Sequence, residues 1–131
     1  MAIVSITHTT RIPPRRDSRL PFERVARAVL PGWDISLVFV GEKRALALNK
    51  RLRRKSYTPN VLSYALSKKS GEIIMCIRVA DRQARSYGLS KTHFVLKLFI
   101  HGLLHIKGWP HGAKMDKCEK DLLARFAKGL A

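Results

Sequence analysis

The sequence predicts an α+β domain in which a small mixed β-sheet of about four strands packs against helices. Three observations carry this. Short β-rich runs fall at residues 2–7, 35–40, 61–66 and 72–79, apolar residues at three- and four-residue spacing fill the stretches between and after them, and no repeat or low-complexity segment divides the 131 residues. A chain of this length suits one domain with one core, so residues 1–131 are read as a single domain.

In order, Ala2-Ile3-Val4-Ser5-Ile6-Thr7 alternates as a first strand, a reading preferred over a transit peptide for the acid-free N-terminus. Arg11–Arg19 reads as a Pro- and Arg-rich turn. Pro21 suits the first turn of a helix whose inner face is Phe22, Val25, Ala26 and Val29, and Pro31-Gly32 ends it. Ile35–Val40 is the second strand. A helix from about Glu42 to Leu52 turns Leu46 and Leu48 inward and ends in a basic run that suits the negative helix pole. Val61–Leu66 and Glu72–Val79, joined by Ser67–Gly71, read as a hairpin. A helix over Ala80–Tyr87 closes at Gly88, Ser90 or Thr92 caps the next one, and Met115–Lys128 is amphipathic through Cys118, Leu122, Leu123 and Phe126.

Charge speaks to partners. Lys and Arg number 26 against 9 Asp and Glu, a formal +17, which points to an anionic polymer such as nucleic acid. Tyr and Phe are few and form no evident stacking platform, so base-specific readout of single strands is not suggested. The longest apolar run, Phe94–Ile106, is broken by Lys97, His101 and His105, so no membrane span is expected. Cys76 and Cys118 sit at no motif spacing, and a cytoplasmic protein with reduced thiols is expected.

The chemistry concentrates in KTHFVLKLFIHGLLHIKGWPHG, Lys91–Gly112. His101 and His105 are four apart and share a helical face, and Gly108 is a helix stop after which Trp109-Pro110 can swing His111 back. Three imidazoles and an open position are the donor set of a catalytic zinc site, with bonds of about 2.0–2.1 Å. The helix is apolar on nearly every side, so the histidines are expected to be buried and in need of a partner. Hydrogen-bonded core histidines are the plain alternative. Gly102 stands where the glutamate of an H-E-x-x-H metallopeptidase would be, and other transition metals also accept imidazole. Lys97, one turn before His101, is read as snorkelling to solvent or facing a phosphate.

HGLLHIKGWPHG resembles the signature of the YbeY family, metal-dependent endoribonucleases of ribosomal RNA maturation. Leu48-Asn49 with Leu52-Arg53 is similar to the family's L-N-x-x-Y-R segment, Asn60-Val61-Leu62-Ser63-Tyr64 to its D/N-V-L-S-F strand, and Gly71-Glu72-Ile73-Ile74 to its G-D-I strand start. The resemblance covers roughly residues 45–112. It implies one zinc ion on His101, His105 and His111, a catalytic role for Arg53 toward substrate phosphate, and an α+β fold. It also implies single-strand-directed cleavage in ribosomal RNA maturation and ribosome quality control. The implied partners are ribosomal RNA, ribosomal proteins or assembly GTPases, in the cytoplasm and away from membranes. Pro110 departs from the aspartate usual before the last histidine, Leu52 from an aromatic, and Glu72 from aspartate.

The expected mechanism is metal-assisted phosphodiester cleavage, with Arg51, Arg53, Arg54, Lys55 and Lys97 as RNA-binding cations. Two rivals are a non-enzymatic zinc-containing RNA-binding assembly factor and a zinc hydrolase of amides. The missing adjacent glutamate and the charge of +17 weigh against the latter.

Overall fold

A computed structural model describes residues 2–9 and 20–130, so the turn expected at Arg11–Arg19 lies outside the described residues. The strands are β1 (Ile3–His8), β2 (Asp34–Val40), β3 (Val61–Ser67) and β4 (Ser70–Cys76). The helices are α1 (Phe22–Val29), α2 (Glu42–Arg53), α3 (Ile77–Ala84), α4 (Lys91–Ile106) and α5 (Ala113–Phe126), with a 3₁₀ turn at Arg85–Tyr87. The sheet order is β1-β2-β4-β3, with β1, β2 and β4 parallel and β3 antiparallel to β4. The expected mixed four-stranded sheet is present.

Period-two alternation sends the two faces of the sheet to different cores. Ile35, Leu37, Phe39, Ile73 and Met75 join α1, α4 and α5 in the larger one, whereas Val40, Leu62, Ile74 and Cys76 meet Ala45, Leu48 and Val79 in the smaller. In α1 the buried residues are the four expected, Phe22, Val25, Ala26 and Val29. α2 differs: it turns Ala45, Leu48 and Asn49 inward and leaves Leu46 half-buried, because a face seven residues long admits positions 45, 48 and 49 together but not 46. The hairpin is tighter than expected, with Lys68-Lys69 alone between the strands, and β4 stops at Cys76. Ile77 and Val79 are therefore core residues of a helix, not of a strand; β-branched residues pack in either setting, and burial decided the matter.

Tyr64 and Glu72 are register partners across β3 and β4, and the Tyr64 hydroxyl donates to the Glu72 carboxylate. Burial, then that hydrogen bond and the negative charge, push the Tyr64 phenol up to about 12. Tyrosinate absorbance from Tyr64, read as the difference between the wild type and Tyr64→Phe, should therefore emerge above pH 11 and move to lower pH in Glu72→Gln.

α4 lies under the sheet with Phe94, Val95, Leu96, Leu98, Phe99, Ile100, Gly102, Leu103 and Leu104 buried. Two glycines let it come close. A Cβ on Gly102 would stand 3.1 Å from Cδ1 of Ile73, which is fully buried, and one on Gly71 would stand 2.9 Å from Cδ1 of Ile106. Alanine at 102 gains helix propensity of about 0.5–1 kcal/mol but overpacks a β-branched neighbour at a cost of roughly 1–3 kcal/mol. Gly102→Ala should thus be less stable by about 1 kcal/mol in urea unfolding, despite being a glycine-to-alanine change within a helix.

Candidate active site

The histidine helix begins and ends on identifiable local chemistry. Ser90 is its N-cap, with Oγ accepting from the His93 N–H at 3.1 Å. At the other end Gly108 has φ 100°, its N–H bonds the His105 carbonyl at 3.0 Å, and the Trp109 N–H bonds the Leu104 carbonyl at 3.1 Å. That is the Schellman pair of bonds, and Trp109 packs on the main core as its apolar anchor. With Trp109 held, the chain reverses and His111 returns over the helix. Its ring centroid lies 5.2 Å from that of His101 and 5.6 Å from that of His105.

The two helical histidines are not buried as expected. His101 is half-buried and His105 exposed, because the stripe of α4 they occupy faces an open cleft rather than the core. The cleft, of about 460 Å³, is lined by all three histidines together with Arg53, Lys97, Ser63 and Glu119 among others. Arg53 and Lys97 are thus brought to the histidines, while Arg51, Arg54 and Lys55 stay exposed outside the lining. Arg53 ends α2; the next residue, Arg54, takes a left-handed conformation at φ 56°, and the buried Asn49 donates from Nδ2 to the Tyr57 carbonyl at 2.8 Å. That bond ties the following loop back to the helix that carries Arg53.

Glu119 was not singled out in the sequence. It reaches in from α5, is 3% exposed, and accepts from His101 Nδ1 at 3.1 Å through one oxygen and from the Lys97 ammonium through the other. Lys97 is thus paired with Glu119 while its side chain keeps 28% exposure on the cleft. Burial pushes the Glu119 carboxyl up, but the hydrogen bonds from His101 and Lys97 outweigh it and hold the group below its ordinary value. An ionised carboxylate only accepts, so the His101 nitrogen that faces it, Nδ1, carries a proton. Ser63 Oγ lies 3.3 Å from His105 Nδ1, within hydrogen-bond reach, and as a hydroxyl can donate or accept there. Burial first, then the neighbouring His111 and His101 and the cation Arg53, lower the His105 pKa, which favours a neutral ring at neutral pH. Ser63 lies inside the Asn60–Tyr64 block noted in the sequence, which was its signal. Glu119 had none beyond an acid on a helix otherwise read for its apolar side.

Three imidazoles, two of them engaged at Nδ1 by Glu119 and Ser63, are chemically suited to a borderline-soft divalent ion. Rings sharing one tetrahedral ion at about 2.0–2.1 Å have centroids roughly 5 Å apart, the range observed here. No group of three or more His, Cys, Asp or Glu side chains among the described residues qualifies as a finished metal cage, so the histidines are gathered donors and no more.

The Lys97–Glu119 pair is testable without any metal. Glu119→Ala should cost about 2 kcal/mol in chelator, less than the roughly 3–5 kcal/mol of a fully buried pair because Lys97 keeps some contact with water. The double change Glu119→Leu with Lys97→Met should recover most of it in urea unfolding. Equal stability of all three proteins would show that the pair carries no net coupling.

A family model described as endoribonuclease YbeY matches residues 17–127. An endoribonuclease YbeY of Thiobacillus denitrificans is 32% identical over 112 residues, covering 78% of this chain and 76% of its own length. One from Xylella fastidiosa is 33% identical, covering 89% of this chain and 83% of its own. A Thermotoga maritima protein solved in solution matches with a TM-score of 0.71 at 20% identity, over 95% of this chain and 89% of the other, a likeness that speaks to fold alone. With the family model spanning both the histidine helix and the Arg53 helix, the chain belongs to the YbeY endoribonuclease family.

Proposed function

We propose that this protein is a metal-dependent endoribonuclease that cuts single-stranded segments of ribosomal RNA during maturation and quality control of the ribosome in the cytoplasm. Ribosomal RNA is its substrate, and ribosomal proteins or assembly GTPases are its partners. The observation that carries the reading is the meeting of Arg53 with His101, His105 and His111 in one cleft on a chain of charge +17. No helix among the described residues is long and apolar enough to cross a membrane, which accords with a partner that is a polyanion.

His101, His105 and His111 would hold one zinc ion, and Glu119 and Ser63 would orient the first two rings from Nδ1. Bound zinc supplies Lewis acidity toward a phosphate oxygen and a water of pKa about 7. Arg53 is a permanent cation on the same cleft wall and stabilises the charge that accumulates on the phosphate as the P–O bond breaks. Arg51, Arg54 and Lys55 continue the basic surface beyond the cleft and hold the RNA backbone by its charge, without sequence preference. Pro110 provides no carboxylate beside His111, and Glu119 offers one from α5, to His101 instead.

The test combines metal content and cleavage. Wild type should carry one zinc per chain and cut single-stranded RNA but not peptides; His101→Ala should lose both metal and cleavage. Arg53→Ala should keep its zinc while cleavage falls about 10²–10³-fold. Cleavage that survives His101→Ala in stringently purified protein would sink the proposal. Loss of folding on chelation would favour a zinc that fastens an assembly factor together.

A further inference from the structure

We infer that the cleft contains a nucleobase subsite walled by Tyr87, where one unpaired base of a single-stranded RNA stacks while its backbone meets Arg53 and the histidines. The inference rests on the RNA reading of the cleft. A phosphodiester needs cations and donors, yet this cleft is also lined by Tyr87, Phe94, Val61 and Leu98. An apolar wall beside a polyanion site is chemically idle unless part of the ligand is apolar and flat, as a base is. The whole cleft, histidines included, has a volume of about 460 Å³, room for a base beside the phosphate it carries.

The geometry of Tyr87 suits the task. It is 57% exposed, and its ring stacks on Phe94, which is 1% exposed, at 4.8 Å between centroids and 28° between planes. The ring is thus held by the core while more than half of the residue stays exposed, so little conformational freedom is lost on stacking. The Lys97 ammonium lies over the same ring, 5.6 Å from its centroid, so a stacked base would share the ring with this cation. Asn60, just before β3, also lines the cleft and donates from Nδ2 to Gln83 Oε1 at 2.8 Å. The sequence showed no stacking platform because Tyr87 and Phe94 belong to different helical segments. Gly88, at φ 67°, and the Ser90 cap fold the first back over the second.

The experiment follows binding of the zinc-loaded protein to short single-stranded RNAs carrying 2-aminopurine or an abasic nucleotide at successive positions, in the cold and before cleavage. One labelled position should be quenched by wild type and by Tyr87→Phe but not by Tyr87→Ala, whose affinity should be about 10-fold weaker. The slope of log Kd against log salt should be the same for all three, since stacking releases no counterions. An abasic nucleotide at that position should weaken wild-type binding by a similar factor, a measurement that stands even if Tyr87→Ala does not fold. Binding of RNA without quenching or abasic sensitivity at any position would overturn the subsite and leave the nuclease reading intact. So would a Tyr87→Ala protein that binds as wild type does, or one whose salt slope changes, which would trace the effect to the charge of Lys97. No binding of RNA by wild type would overturn the nuclease reading and the subsite together.

Discussion

The structure depends on how closely α4 approaches the sheet. Gly102 rests on the side chain of Ile73, and Gly71 leaves room for Ile106, so the helix sits close enough to β4 that a Cβ at either position would press on its neighbour. That proximity aligns the neighbouring stripe of the helix with β3, the edge strand. Ser63, whose side chain is on the α4 side of β3, comes within 3.3 Å of His105 because of it. Gly102 therefore has a steric reason to occupy the position between His101 and His105. A larger residue there would lift both histidines away from the groups that orient them.

The polar side of the site is organised by one acid. Among the described residues only Asn49 and Glu119 are buried polar side chains, and each anchors a cation-bearing element: Asn49 the end of α2 with Arg53, Glu119 the stripe of α4 with Lys97 and His101. In a chain with 9 acids against 26 bases, a carboxylate that withdraws from the surface makes that surface still more positive. The result is a cleft in which Lys97 is paired with an acid while Arg53 has no acidic partner among the described residues.

Two helix ends define the remaining walls. The Schellman closure at Gly108 returns His111, and the left-handed Gly88 returns Tyr87, from opposite ends of α4. Both rely on backbone geometry that glycine adopts without penalty, and both bring in residues that no helical spacing relates to His101 and His105. The cleft is thus a helix face framed by the two turns that bound it.

The sequence by itself determined the architecture and the core of the site. Alternation and β-branching located the strands, the 3.6-residue period located the helices, and the H-x3-H-x5-H spacing with Gly108 placed three histidines together, because all of these are interactions between near neighbours in the chain. Local pattern erred where burial arbitrated. Ile77 and Val79 suit a strand as well as a helix, and the inward side of α2 depended on which residues the small core could take. Tertiary structure alone decided that the histidine stripe is open to a cleft, that Glu119 joins His101 across 18 residues, and that Ser63 joins His105 across 42. Those contacts cross from one element to another, and nothing in the spacing of residues along either element encodes which two faces will meet.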